Sequence, residues 1–423
     1  MQTTQNPCYR LLPLLLLIFI DSFSYFVVIP VLLQLFYNHQ YDLLPLSTSM
    51  DTRNILTGIT ISLAPMAALF FSPFIGFASD QYGRKKTLLM CIACVIVGFA
   101  LPIVGILSNS VALVLLGRLM AGIGSASQPI AQATVTDLCT GKNRVLYLSL
   151  IALMMTLALI LGPLAGGELT DQHFVHWFSI MTPYEFAFGL SLINLLLILF
   201  CFKETKILTQ KTVKFSVKNV VTNFIPLIKQ YQIGLFVAGF FFLELGWSQY
   251  YQSISLYLQL HWQLTPQTIG LFNAMMGATM SFGLLLLAPL FLRFFSIKII
   301  MRFSLLLVLI GLISCSLFSS ITIQWMFANI VAIFTGCAYV SLVALIADNT
   351  DNQHHGLVMG YLSTALYLAW MLTAFDGGFL ISWYEKLPLI LAMVFLFIAV
   401  VTTTIFQNLR NVHKITPATG ASN

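Results

Sequence analysis

Stretches of about twenty apolar residues follow one another along the whole chain, each bounded by a short polar segment. A helix rising 1.5 Å per residue needs about twenty such residues to cross a ~30 Å hydrocarbon layer. The pattern predicts spanning helices over 11–37, 55–79, 88–107, 111–138, 145–167 and 184–202, and again over 232–258, 267–292, 298–319, 323–347, 357–380 and 387–407. The first is longer than a signal-peptide core and is followed by more apolar sequence, so it reads as a retained helix. The expected fold class is an all-α membrane protein with twelve spanning helices.

The longest polar segment, 203–230, carries six lysines against one acid, Glu204, and divides the chain into a first six-helix half, 1–202, and a second, 231–423. Inside it Val217, Val220, Val221, Phe224, Ile225 and Ile228 recur at helical spacing. That spacing predicts an amphipathic helix lying on an anionic membrane surface. The halves echo each other, as in internally duplicated transporters. A shift of 211 carries Asp137 onto Asp348 and Gly166-Gly167 onto Gly377-Gly378, and Leu32-Leu33-Gln34-Leu35 resembles Tyr257-Leu258-Gln259-Leu260.

Composition agrees: 59% of residues are hydrophobic and 8% charged, against roughly 25% charged in a soluble domain. The net charge of +6 is spread along loop edges and implies no nucleic-acid partner. Its distribution sets topology instead, because Lys and Arg are retained on the cytoplasmic side during insertion. Arg10, Arg84-Lys85-Lys86, Lys142, Arg144, the linker lysines, Arg293, Lys298, Arg302, Arg410 and Lys414 all fall on one side, while Arg53 and Lys386 fall on the other. Both termini are therefore expected in the cytoplasm. The seven cysteines lie mostly within spans and read as small apolar residues. No HExxH, GxSxG or paired-Cys spacing points to an enzyme.

The loop Gly76-Phe77-Ala78-Ser79-Asp80-Gln81-Tyr82-Gly83-Arg84-Lys85-Lys86 joins the second and third spans. Its glycines, Gly76 and Gly83, allow a tight turn and close helix approach, and Asp80 can sit at a helix N-terminus, where the macrodipole favours an anion. The loop resembles the signature of the major facilitator superfamily. That resemblance implies alternating access, with this loop as a cytoplasmic latch in which Arg84 pairs with Asp137. The equivalent stretch of the second half, Arg293 to Arg302, keeps basic charge without the Gly and Asp. In the fourth span Leu116-Gly117-Arg118-Leu119-Met120-Ala121-Gly122-Ile123-Gly124 resembles a second motif of the family. From it Arg118, Gly122, Ser125, Pro129, Gln132 and Thr136 predict a polar stripe along one helix face. An arginine in hydrocarbon costs several kcal/mol by most estimates, so Arg118 is expected to face a cavity or a carboxylate, unless an interhelical ion pair holds it.

Gly162-Pro163-Leu164-Ala165-Gly166-Gly167 resembles the end of the motif associated with exporters, although Ser149 and Ala158 stand where that pattern has glycines. Small residues there also serve helix packing alone. With Asp21 in the first span, the combination is most similar to twelve-helix drug exporters that include tetracycline/proton antiporters.

Two acids lie near mid-membrane: Asp21, about 15 Å into the first span, and Glu244, about 18 Å into the seventh. A carboxylate there is costly unless protonated, paired or wetted, which suits it to carry a proton. Glu244, Trp247, Ser248, Tyr251 and Ser255 share a helix face, a surface suited to organic cations. Tyr25, Ser125, Gln128, Gln132, Trp247 and Tyr251 are the expected cavity lining. Glu168, Asp171, His173 and His176 at an outer loop read as solvated polar residues rather than a metal site, and Asp376 lies near the outer end of its span.

Proton-coupled export of small amphipathic organic compounds is the expected function. It requires no cofactor beyond a proton gradient and no partners beyond substrate, protons and bilayer, and a monomer in a bacterial inner membrane is expected. The rival is proton-coupled import of a metabolite or a metal-chelating small molecule such as a siderophore. A receptor without transport would look similar.

Overall fold

The computed structural model describes residues 7–38, 43–138, 141–173, 175–205, 231–348 and 355–415. The linker's predicted amphipathic helix lies outside the described residues, as does the side chain of Asp348. Every regular element described is helical: α1 (Pro7–Phe26), α2 (Val28–Tyr37), α3 (Met50–Tyr82), α4 (Arg84–Leu107), α5 (Val111–Ser125), α6 (Gln128–Leu138), α7 (Gly141–Glu168), α8 (Thr182–Cys201), α9 (Tyr231–Trp262), α10 (Pro266–Phe282), α11 (Ala288–Phe291), α12 (Ile297–Leu317), α13 (Ile321–Asp348), α14 (His355–Trp383) and α15 (Leu387–Ile415). Together they form the twelve spans the sequence predicts. Among the described residues eleven stretches are long and apolar enough to cross a membrane. The twelfth, α9, has 32 residues, but Glu244, Gln249, Gln252 and its serines dilute its apolar character. Several helices run past the predicted limits, α3 over Met50–Tyr82 rather than 55–79, because backbone hydrogen bonding continues into the polar flanks.

Among the described residues three spans are interrupted, each within six residues before a proline. Pro30 lacks an N–H and its ring crowds the carbonyl of Phe26, where α1 gives way to α2. Pro129 acts likewise on Ser125, the last residue of α5, leaving Ala126 and Ser127 as a turn. Pro289 follows a π-helical turn, Gly283–Leu287, that joins α10 to α11.

Contacts gather the chain into two compact units. The larger contains residues 1–215 with 251–278 and 370–385, and the other contains 216–250, 279–369 and 386–423. In the larger unit the break in the first span is a packing site. Any Cβ on Gly162 would stand 3.2 Å from the Val27 nitrogen, and one on Gly166 would collide with the Val27 carbonyl. The exporter-like glycines thus let α7 lie directly on the α1–α2 break. At the far end of this unit the Arg53 guanidinium, 5% exposed, donates to the carbonyls of Phe36, Pro45 and Thr48 and so ties the end of α2 to the start of α3. In the other unit Gly283 meets the Ile333 backbone, and the Cys337 thiol donates to the Gly283 carbonyl over 3.3 Å. Cys91, Cys315 and Cys337 are buried and unbridged, as small apolar residues would be.

Candidate functional site

The loop between α3 and α4 makes the turn its glycine requires. Gly83 has φ 101°, a region that side chains rarely adopt, and α4 starts at once with Arg84. The Arg84 side chain is nearly buried and Nε lies 3.1 Å from Asp137 Oδ2, the pairing the motif implies. Its Nη1 reaches Asp80 Oδ1 at 3.1 Å and donates to Ser79 Oγ at 2.7 Å. Two sequence readings need correction. Asp80 occupies the last turn of α3, not a helix N-terminus; at that unfavourable end of the dipole Arg84 compensates it. Among the described residues Gly76 has no atom within 4 Å of where a Cβ would stand, so none of them makes a close approach there.

Asp21 is 5% exposed. Its Oδ2 accepts from Ser127 Oγ, and Ser24 Oγ donates to the Asp21 carbonyl at 2.8 Å. Ser127 is available only because Pro129 unwinds the helix there; sequence periodicity assigned the polar stripe to other positions. The break also ends that stripe as a continuous face. Gln132 below it is exposed, Ser125 turns back to the Gly122 carbonyl, Gln128 donates to Met155 Sδ, and the Thr136 side chain lies outside the described residues. A proline four residues after a serine was the signal that could have found Ser127's neighbourhood.

Arg118 is 2% exposed and satisfies itself differently from expectation. Nη1 donates to the Ser24 carbonyl at 2.9 Å and Nε to the Thr60 carbonyl at 3.3 Å, while the guanidinium carbon sits 5.6 Å from the Tyr25 ring centre. Backbone oxygens and an aromatic face take the place of a carboxylate; Nη2 has no hydrogen-bond partner among the described residues. Tyr25 in turn donates to Gln252 Oε1 at 2.7 Å, and Gln252 Nε2 donates to Thr373 Oγ1 at 2.9 Å and the Trp370 carbonyl at 3.2 Å. Tyr25, Phe26, Tyr251 and Trp370 form one aromatic group with ring centres 5.3–6.0 Å apart. Gln252, Thr373 and Trp370 carried no signal in the sequence, because polar and aromatic residues are common along α9 and α14.

Beside this group the larger unit holds a partly open cavity of about 20 Å³, space for a single water, lined by Thr57, Gly58, Gln252, Ser255, Thr373 and Gly377 among others. Above it α3 and α14 cross at Gly58 and Gly378. A Cβ on Gly58 would stand 2.9 Å from the Ala374 oxygen and 3.0 Å from that of Phe375. Asn54 bridges the crossing, accepting from Tyr37 and donating to Ser382 Oγ at 3.1 Å. Gly167 makes a like contact, where a Cβ would lie 2.9 Å from the Pro266 oxygen. Gly378→Val therefore forces α3 and α14 apart. If this close crossing seals the space beneath it, a cysteine at Ser382 is expected to react with an impermeant thiol reagent about fivefold or more faster in that background, and unchanged labelling would contradict such a seal.

Glu244, Trp247 and Ser248 lie in the other unit, all buried, with Ser248 Oγ donating to the Glu244 carbonyl at 2.6 Å. Tyr251 and Ser255 follow on the same face of the unbroken α9 and are grouped by contacts with the larger unit, where Ser255 accepts from Asn273 at 2.7 Å. Asp376 is half-buried on α14. Among the described residues no group of His, Cys, Asp or Glu could hold a metal ion, and Asp171 accepts from the His173 amide.

A family model described as Major Facilitator Superfamily matches residues 14–262 and 235–421. Tetracycline resistance protein, class B, of Escherichia coli is 28% identical over 149 residues, 35% of this chain and 35% of its own length. Multidrug resistance protein 2 of Bacillus subtilis (strain 168) is 27% identical over 217 residues, 50% of this chain and 52% of its own. The chain thus spans about a third to a half of the length of these curated relatives. Among solved structures, a bacterial homolog of the human lysosomal transporter Spinster, inward-facing and occupied, superposes with TM-score 0.73 at 15% identity, over 98% of this chain and 100% of that one. The human organic anion transporter MFSD10 gives 0.70 at 16%, over 95% and 100%.

Proposed function

Because the chain belongs to the Major Facilitator Superfamily of membrane transporters, we propose that it is a secondary active transporter that exports small amphipathic organic compounds in exchange for protons. Substrate would bind between two six-helix halves, 1–202 and 231–423, that rock about it, with both termini in the cytoplasm of a bacterial cell and the protein acting as a monomer in the inner membrane. Asp21 is the proton carrier and Glu244 orients substrate. The observation that carries this reading is the Asp21 carboxylate, buried in the span and held by Ser127 at a proline-made break. A hydroxyl partner, unlike a fixed cation, serves both the protonated and the ionised acid. The Arg84–Asp137 and Arg84–Asp80 pairs supply a contact that can form and break during the cycle, and the names of the relatives add tetracycline and multidrug resistance.

A second reading, proton-coupled import of a metabolite or metal-chelating molecule, is favoured by one observation: Arg118 keeps an unpartnered nitrogen that an anionic substrate could engage. Transport in inverted and right-side-out vesicles separates the two. With tetracycline as first probe, the export reading expects accumulation in energised inverted vesicles only; accumulation only in right-side-out vesicles overturns it.

A further inference from the structure

The residue that ties the latch to the rest of the molecule is Glu204, at the start of the segment joining the two halves. Its carboxylate spans the first two free amides of α4, accepting from the Arg84 N–H at 2.8 Å with Oε1 and from the Lys85 N–H at 3.0 Å with Oε2. These are orphan donors of a helix start, where an anion is favoured by both hydrogen bonding and the macrodipole. The relation is reciprocal. Lys85 Nζ donates to the Leu199 carbonyl at 2.7 Å, and Leu199 lies in the last turn of α8, whose free carbonyls favour a cation. The end of α8 and the start of α4 therefore cap each other with one acid and one base.

Gly83 completes the arrangement. A Cβ there would collide with the Glu204 carboxylate, whose Cδ would lie 2.8 Å away, so the glycine serves the carboxylate's seat as well as the turn at φ 101°. Arg84, whose amide Glu204 holds, is the same residue whose guanidinium binds Asp80 and Asp137. Backbone and side chain of one residue are thus fixed by acids from three places: the end of α3, the end of α6 and the exit of α8.

We propose that Glu204 is a positioning residue of the latch, holding Arg84 in register for Asp80 and Asp137 and so coupling the end of α8 to the opening of the latch. This rests on the alternating-access reading above. A cap without that role would stabilise α4 locally and leave distant parts of the protein unmoved.

Amide hydrogen exchange of the full chain in nanodiscs tests it without any substrate. Two regions are read: Arg84–Leu88 at the cap, and the distant seal at Asn54–Ile61 with Thr373–Gly378. Wild type is compared with Glu204→Gln, Arg84→Ala and the double variant. Glu204→Gln, which keeps the shape and removes the charge, is expected to speed exchange at the cap by about tenfold. It is also expected to change exchange at the seal in the direction and to the extent that Arg84→Ala does, with no further change in the double variant. If Glu204→Gln does not reach the membrane, Lys85→Met breaks the other half of the mutual cap and is expected to give the same pattern. Unchanged exchange at the cap overturns the proposal, as does a seal that responds to Arg84→Ala but not to Glu204→Gln, or effects that add in the double variant. A seal indifferent to Arg84→Ala itself overturns the latch reading, and this inference with it.

Discussion

Asp21→Asn is expected to abolish proton-driven accumulation while sparing downhill exchange of the same compound. The asparagine is nearly isosteric and can still accept from Ser127, so the α1–α2 break and its packing against Gly162 and Gly166 persist. What it loses is the ability to take up and release a proton. An ionised carboxylate at mid-membrane costs about 3 kcal/mol by insertion scales, so the ionised state has to be reached where water or a partner attends it. That requirement links proton release to a change of conformation. The steady-state gradient in proteoliposomes is expected to fall to about that of a passive carrier, with exchange within about twofold of wild type. Glu244→Gln is expected to keep coupling and to raise the apparent KM by about tenfold, the loss of one charged hydrogen bond. If both variants keep full coupling and unchanged affinity, these acids are structural and the site lies along the Arg118 side of the unit.

Arg118→Ala is expected to have the largest effect on stability. Its guanidinium bonds two carbonyls on different helices, Ser24 and Thr60, and lies over Tyr25. Removing it takes away two buried hydrogen bonds from a charged donor, about 1.5–3 kcal/mol each, and leaves a void beneath the ring. The detergent-solubilised protein is expected to melt about 10 °C lower. Arg118→Lys retains the charge, but an ammonium on a flexible stem cannot hold the fork that reaches both carbonyls while facing the ring. It is expected to recover part of the stability and little of the transport. Wild-type melting of Arg118→Ala would contradict the bridging role.

The spans were legible because hydrocarbon imposes one length and one composition on every crossing helix, so the pattern alone located them. The Arg84–Asp137 pair was legible through its motif. What periodicity could not supply were the consequences of broken helices. Counting residues from Arg118 as if the helix were continuous placed Ser125 and Gln132 on its face, whereas Pro129 resets the rotation and presents Ser127 to Asp21. By contrast α9 is unbroken from Tyr231 to Trp262, so the face shared by Glu244, Trp247, Ser248, Tyr251 and Ser255 follows the helical count. Arg118 was expected to face a cavity or a carboxylate; two carbonyls and a ring hold it, and no spacing rule announces which backbone oxygens a fold will present. Glu204 looked like the one acid of a basic linker, and only the three-dimensional meeting of α4 and α8 gives it a task.

Proton-coupled exchange through Asp21 is tested by proton movement across proteoliposomes holding a trapped pH dye, when a compound exported in vesicles is added on one side. In wild type the compound is expected to drive protons the opposite way across the membrane, and Asp21→Asn to move the compound down its gradient with no proton signal. Protons moving in the same direction as the compound, or a full proton signal in Asp21→Asn, would contradict it.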